Sequence, residues 1–467
     1  MQFRMLTALA LAMLTASTAH AQLATAVSSS TSTGDAYAAY SVYYYDSSYV
    51  GHGMAGRIVD NSSTITPYPD MAGGASPYTS VTLNGSPTVQ GFTKSSSGLG
   101  IAVTDYTGAT GEPVNIYDAT DTTSTGSTPI ATVSSGWSNV TNLYGVVKIG
   151  SYLYAIDYDN ARVVEINPST YAQTGVYYTA ATKTVSGTTY NPHGQALLNI
   201  NGTLYGLFSY ANSNFTAYTN SMLVKFTISG GSSISAGSSN SNLAQNAYAM
   251  AVNGSYLYVA SIGGEQSAGS YNTASAIQKI PYASLSSVSS VMSPSSTRPY
   301  NFLDISFNTN TSPATAYILM GAYNSSYAMN GVLLSTTDFS TFTTIDTISS
   351  AAGYYWAAQY TSVNNRIWYA RGNPIWVYDA SSTSTPVAQL TLSSGSLLSS
   401  SEPYSYNNLN NFSFVGSSGT TTALRGYRSP IQASSTSLAV KARAIAQGRP
   451  SLTKKEIEQL NSESNKE

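Results

Sequence analysis

The stretch Gly145-Val-Val-Lys-Ile-Gly-Ser-Tyr-Leu-Tyr154 returns twice in the same chain. It comes back as Ala196-Leu-Leu-Asn-Ile-Asn-Gly-Thr-Leu-Tyr205 and as Ala249-Met-Ala-Val-Asn-Gly-Ser-Tyr-Leu-Tyr258. Each copy reads as an apolar strand, a tight turn at Gly and its neighbour, and a second strand opening on Leu-Tyr. Weaker copies keep the period. The residues opening the first strand are Thr88, Asn142, His193, Asn246, Asn301, Tyr354 and Asn408, spaced by 54, 51, 53, 55, 53 and 54. A third strand follows in each unit, as in Arg162-Val-Val-Glu-Ile-Asn167, Met222-Leu-Val-Lys-Phe-Thr227 and Pro374-Ile-Trp-Val-Tyr-Asp379. A fourth comes after it, as in Gly175-Val-Tyr-Tyr-Thr179 and Val387-Ala-Gln-Leu-Thr391. Four short strands repeating every fifty-odd residues predict an all-β chain folded as a β-propeller, one blade per unit.

The blade count is seven if the two ends of the chain share a blade. From Asn408 two strands, Asn411 to Val415 and Thr421 to Tyr427, precede the end of the pattern near Pro430. Ala39-Tyr-Ser-Val-Tyr-Tyr-Tyr-Asp-Ser-Ser-Tyr49 echoes Ala316-Tyr-Ile-Leu-Met-Gly-Ala-Tyr-Asn-Ser-Ser-Tyr327, and Arg57-Ile-Val-Asp60 reads as a third strand. N-terminal strands would then complete the last blade and remove an exposed sheet edge. The ends together carry one strand more than that blade needs, so eight blades is the alternative count.

The unit Tyr154-Ala-Ile-Asp-Tyr-Asp-Asn-Ala-Arg-Val-Val-Glu-Ile-Asn-Pro-Ser-Thr170 resembles the repeat of YVTN-type bacterial propellers: a strand, an Asn- or Asp-rich turn, a strand ending in an Ile-Asp-like pair, and a Thr-containing turn. The likeness is good over this unit and loose over the other six; Tyr258-Val-Ala-Ser261 lacks the Asn. It implies a propeller used as a binding platform and selects no reaction, since one fold hosts many functions.

Outside 35–430, the expected propeller, three segments differ. Arg4, the apolar run Met5 to Leu14 and Ala19-His20-Ala21 form the pattern of a secretory leader over 1–21, cut before Gln22. The run is about half the ~20 residues a spanning helix needs, so an exported protein, periplasmic or extracellular, with no transmembrane segment is expected. A Ser/Thr-rich linker spans 22–34. The tail 431–467 is charged: its last 27 residues, 441–467, hold six basic and four acidic side chains. Thr453-Lys-Lys-Glu456 is a capping box, with Leu452 and Ile457 placed as a staple, which predicts a short helix from Lys454 to about Leu460. Two apolar residues on it are too few to hold it alone, so the tail is either a solvated extension or a peptide that docks a partner.

Composition narrows the chemistry. There are 19 Lys+Arg against 21 Asp+Glu and the net charge is -2, which leaves no basic field for nucleic acid. Cys is absent, excluding disulfides, thiolate chemistry and Cys-ligated metals. Only His52 and His193 follow the leader, so no site rests on several His ligands. No G-x-S-x-G elbow, Walker loop or H-E-x-x-H motif is present. Asp157-Tyr-Asp159-Asn160 opens like a calcium loop, yet Arg162 stands where its Gly belongs and Pro168 where its Glu belongs, so a polar turn is expected. Asp105, Asp157 and Asp304 recur near strand ends. Gly230-Gly231 and Gly263-Gly264 read as turns. Tyr outnumbers Phe 38 to 11, and the opening cluster Tyr37, Tyr40, Tyr43, Tyr44, Tyr45 and Tyr49 reads either as packing between blades or as an adhesive surface.

In a propeller the entries to the innermost strands converge on the mouth of the central channel. Those entries carry Asn142, His193, Asn246, Asn301 and Asn408, with Tyr144, Tyr248, Tyr355 and Trp356 close behind. Amides pair with hydroxyls and aromatic faces cover the apolar side of a sugar ring, so Asn142, Tyr144, His193, Tyr248, Asn301, Tyr355, Trp356 and Asn408 form the candidate ligand site. The plainer alternative is that these Asn cap turns. His193 has no carboxylate in its own repeat to make it a general base. The chain thus reads as an exported binding or scaffold protein, its ligand a glycan or a protein, with no cofactor. The alternative is a lactonase- or lyase-like enzyme holding a divalent metal such as calcium in the channel. A surface-layer or adhesive component is the third.

Overall fold

The computed structural model describes residues 34–45, 51–73, 83, 86–94, 98–106, 111–122, 128–138, 140–266, 269–325, 328–351, 356–371, 375–390 and 408–415. The expected leader, nearly all of the linker, Tyr354, Tyr355, the strand expected at Thr421 to Tyr427 and the charged tail lie outside these residues, as do the side chains of His52, Trp356 and Asn408. Every regular element among the described residues is a strand, and no helix there is long and apolar enough to cross a membrane.

Three strands open the fold: β1 (Ala36–Tyr45), β2 (Gly51–Asp60) and β3 (Ile65–Gly73). The first blade is β4 (Ser86–Thr93), β5 (Leu99–Tyr106), β6 (Val114–Asp118) and β7 (Ala131–Val133). The second is β8 (Leu143–Ile149), β9 (Tyr152–Asp157), β10 (Arg162–Ile166) and β11 (Gln173–Thr179). The third carries five strands, β12 (Lys183–Val185), β13 (Thr188–Ile200), β14 (Thr203–Ala211), β15 (Tyr218–Ser229) and β16 (Ser233–Gln245). The fourth is β17 (Ala247–Asn253), β18 (Tyr256–Ser261), β19 (Ala276–Pro281) and β20 (Ser289–Met292). The fifth is β21 (Asn301–Asn308), β22 (Thr315–Tyr323), β23 (Met329–Thr336) and β24 (Thr343–Ala351). The sixth is β25 (Trp356–Thr361), β26 (Arg366–Arg371), β27 (Ile375–Asp379) and β28 (Ser382–Leu390). The last strand, β29 (Asn408–Val415), is the inner strand of a seventh sheet ordered β29-β1-β2-β3. Seven antiparallel sheets result, and the N-terminal strands seal the ring.

Burial explains the sequence pattern. Inner and second strands lie between neighbouring blades on both faces, so they read as nearly continuous apolar runs: Leu153 to Ile156 in β9 and Ile318 to Met320 in β22 are all fully buried. Fourth strands form the rim and alternate, as β28 does with its exposed Val387. Cores fill every junction, for example Phe92 and Ile116 against Leu153, Ile156 against Leu204 and Phe208, and Tyr40 and Met54 against Trp368. Tyrosine serves here because its ring packs while its hydroxyl bonds. Tyr154 donates to Glu165 (3.0 Å), and Tyr205 reaches the next blade at the Tyr282 carbonyl (3.0 Å). The turn Asn201-Gly202, with φ of 51° and 80°, is the two-residue hairpin that follows the twist of its strands.

Strand register places the parts. Leu143 faces Asp157, Asn191 faces Ala211, Ala247 faces Ser261 and Asn301 faces Gly321. The entries to the inner strands therefore share one end of the ring with the loops joining second and third strands. At the opposite end Tyr37 pairs with Val415, and Gly34 bonds to Asn364 in the β25–β26 turn.

Candidate functional site

Four consecutive inner strands break register at the same place, between Leu143 and Gly145, Gly194 and Ala196, Ala247 and Ala249, and Phe302 and Asp304. The extra residues are Tyr144, Gln195, Tyr248 and Leu303. A bulge kinks its strand and redirects a side chain, and such bulges gather beside functional sites. Here they sit just below the mouth, on the entry side of blades two to five.

At blades two and three the mouth carries a run of rings. Tyr144 lies 4.7 Å from Tyr158, Tyr158 stacks on His193 at 4.7 Å and 28°, and His193 meets Phe215 at 4.9 Å. Tyr144 and His193 belong to the expected site. Tyr158 comes from the β9–β10 turn and Phe215 from the β14–β15 loop, where no repeat pattern marks them. Buried polar atoms without a partner lie beside the rings: Asn142 Oδ1, His193 Nδ1 and Gln195 Oε1. Gln195 is otherwise fixed, its Nε2 donating to Ser209 Oγ at 2.7 Å.

The entry asparagines also tie strands to loops. Asn142 Nδ2 donates weakly to Asp159 Oδ1 (3.5 Å), Asn246 Nδ2 to the Gly264 carbonyl (2.8 Å), and Asn301 Oδ1 accepts the Asn272 N–H (2.7 Å). Tyr248 is buried in the core shared by blades four to six. Tyr355 lies outside the described residues; Trp356 opens β25 and Asn408 opens β29. Inner-edge N–H groups elsewhere are taken up by neighbours: Asp304 Oδ2 accepts from Ala358 (3.0 Å), Ser306 Oγ from Tyr360 (3.0 Å) and Ser275 Oγ from Phe302 (2.9 Å).

Other buried polar atoms without a partner lie in the β18–β19 loop and on strands of blades three and five. Gln266 is 5% exposed and both atoms of its carboxamide are unpaired. Asn301 is fully buried with Nδ2 unpaired, and the Tyr218 hydroxyl is buried and unpaired. Gln266 was not legible as a candidate, because it sits where the repeat gives way to loop; the one cue is the length of the Ser/Gly-rich connection in which it stands.

Burial also sets the titration of the mouth. It pushes the His193 imidazole down to about 4, opposed in part by a hydrogen bond to the Tyr158 main chain, so the ring is neutral at neutral pH. Asp157 is pushed up to about 6 by burial, although its carboxylate accepts the N–H groups of Thr141 (2.9 Å), Asn142 (2.7 Å) and Asn160 (2.5 Å). That makes Asp157 a turn cap within the expected polar turn. Lys183, on the β12–β13 hairpin that extends the third blade, lies 3.8 Å above the Tyr210 ring and donates to the Asn220 carbonyl (2.7 Å); burial lowers its amine to about 8. Among the described residues no three His, Asp or Glu side chains gather where a metal ion would sit.

The chain is similar in fold to a candidate 6-phosphogluconolactonase of Bacteroides fragilis, at 11% identity and a TM-score of 0.46, over 81% of this chain and 98% of that one. It is similar to AztD of Citrobacter koseri in its apo form at 10% identity and a TM-score of 0.40, over 77% and 82%. A chain of the nidogen/laminin complex matches at 8% identity and a TM-score of 0.35, over 77% and 94%. At these identities and scores the likenesses carry no substrate, ligand or partner over to this chain. No protein-family model and no curated protein matches the sequence.

Proposed function

We propose that this propeller is an exported binding protein that holds a glycan across the entry-side mouth of blades two and three. The observation that carries this reading is the ring series Tyr144, Tyr158, His193 and Phe215 with the unpaired Asn142 Oδ1 and His193 Nδ1 beside it. Aromatic faces cover the apolar side of a sugar, and uncharged donors and acceptors pair with its hydroxyls. A neutral imidazole suits a neutral ligand.

The test is calorimetric titration of the purified chain with soluble oligosaccharides, in parallel with Phe215→Ala. Saturable binding by the parent, weakened in the variant without loss of thermal stability, supports the reading. Absence of binding by every sugar, or binding untouched by Phe215→Ala, overturns it. A calcium- or magnesium-dependent thermal shift reversed by EDTA would overturn it in favour of the metal-dependent enzyme.

A further inference from the structure

Blade three differs from the other blades among the described residues in its fifth strand. The addition is the β12–β13 hairpin, 183–190, which lengthens the inner strand ahead of His193. Its one charged residue is Lys183. Lys183 pairs across the hairpin with Tyr190, which stands three residues before His193, about 10 Å along the strand. The Lys183 ammonium lies 3.8 Å from the centre of the Tyr210 ring and donates to the Asn220 carbonyl (2.7 Å). Tyr210 in turn pairs with Pro192, the residue before His193. Tyr144 and Tyr210 are buried in one core between blades two and three, with Tyr158 and Tyr190 packed against it. The hairpin therefore brings a cation to the same inter-blade core that carries Tyr144 and Tyr158 of the ring series.

That charge has no carboxylate partner among the described residues. Asp157 and Asp159, on the facing blade, are turned to Thr141 and Asn142. Burial alone shifts the Lys183 amine, so no acid stands close to it. A partly buried ammonium without a counter-ion is costly. Of its three N–H groups one is taken by Asn220, and the Tyr210 face covers one side. Two donors and an uncompensated positive charge are left for a ligand. The rings around the neutral His193 meet the uncharged face of a sugar, and Lys183 meets an anion. A sugar that bears a carboxylate joins the two.

Resting on the glycan reading above, we propose that Lys183 is a specificity-determining residue that selects an acidic oligosaccharide: the sugar lies along Tyr144, Tyr158, His193 and Phe215, and a uronate carboxylate pairs with the Lys183 ammonium. The carboxylate accepts the idle N–H groups, and such charge-assisted bonds are about twice as strong as neutral ones. The fifth strand of blade three then serves recognition, because it carries the cation that a four-stranded blade would lack.

The experiment compares the full chain with Lys183→Gln, Lys183→Arg and Phe215→Ala, titrated with trimers of galacturonic, glucuronic and mannuronic acid and with the neutral methyl ester of each. The expected result is about tenfold or greater preference for one acid over its ester in the parent, shrinking as salt is added. Lys183→Gln should abolish the preference by weakening the acid alone, and Lys183→Arg should keep it. Phe215→Ala should weaken acid and ester together and keep their ratio. Acids bound no better than their esters, a preference that salt does not weaken, or one unchanged in Lys183→Gln overturns the assignment and leaves the glycan reading standing. Binding of no sugar, or binding of all untouched by Phe215→Ala, overturns both. Should Lys183→Gln unfold, Lys183→Met, which keeps an apolar stem over Tyr210, replaces it, and an unchanged preference in that variant equally overturns the assignment.

Discussion

Gly34 and Asn364, 330 residues apart, exchange two hydrogen bonds: the Gly34 N–H donates to Asn364 Oδ1 at 3.2 Å, and Asn364 Nδ2 returns to the Gly34 carbonyl at 2.9 Å. The same amide reaches the Asp60 carbonyl (3.2 Å), and Arg366 adds the Ser62 carbonyl (3.0 Å). The N-terminal strands are thereby fastened to blade six as well as to β29. Asn364→Ala should cost about 1–3 kcal/mol, chiefly the penalty for stranding the buried Asp60 carbonyl. Urea unfolding followed by tryptophan fluorescence would show a lower midpoint, and an unshifted midpoint would deny the fastening any weight.

Glu165 is fully buried and surrounded by donors: the hydroxyls of Tyr154 and Thr174 at 3.0 Å each, and the Gly231 N–H at 3.0 and 3.1 Å from its two oxygens. Gly231 belongs to the hairpin of the next blade. Glu165→Gln turns an NH2 toward donors and should destabilise by about 1–3 kcal/mol. Hydrogen exchange at Gly231 should quicken more than at Gly202, which lies in another hairpin and does not touch Glu165.

His193 and Asp157 pull stability in opposite directions over nearly one pH window. The imidazole titrates near 6.5 when unfolded and near 4 when folded, so its contribution is complete above 6.5 and is lost as pH falls toward 4. The carboxyl titrates at 3.8 unfolded and near 6 folded, so its contribution is complete below 3.8 and is lost as pH rises toward 6. Each amounts to about 3 kcal/mol at most, and together they nearly cancel. His193→Gln should therefore leave stability falling as pH rises from 4 to 6, and Asp157→Asn should leave it rising. Unfolding midpoints at half-unit steps would separate the two slopes; parallel profiles in both variants would refute the pairing.

Gly263 sits where an added Cβ would lie 2.3 Å from the Ser275 nitrogen, at a φ of 90°. Gly254, at a φ of 57° on a hairpin tip, has open space around it. Gly254→Ala should cost the backbone penalty alone, about 1–2 kcal/mol. Gly263→Ala should cost clearly more, because the Ser275 main chain must give way. Equal losses in the two variants by calorimetry would mean that the main chain at Ser275 yields freely.

The repeat made the architecture legible because two-sided burial imposes one apolar pattern on every inner and second strand. The echo of Ala316–Tyr327 in Ala39–Tyr49 likewise marked β1 as a strand of the sealing blade. Its β2 and β3 partners complete that sheet and leave seven blades among the described residues. The fifth strand of blade three was not legible: Lys183 to Tyr190 is short and polar, like a linker, and Ser186-Gly187 provides its tight turn at φ of 50° and 82°. The candidate site divides between strands and loops. Periodicity pointed to Asn142, Tyr144, His193 and Asn301 because they stand at fixed places on the inner strands or just before them. Tyr158, Phe215 and Gln266 stand on loops, whose residues answer to local turns and neighbouring blades and keep no period.

Pairing the first strand with the last has a consequence for the order in which the molecule is made. Each of blades one to six draws its strands from one stretch of sequence, so those sheets are local and form early. The seventh needs β1 at one end and β29 at the other, and no earlier contact substitutes for that pairing. A chain growing from its N-terminus must hold β1 to β3 without their inner neighbour until residue 415 has emerged, and only then does the ring become a single cooperative body.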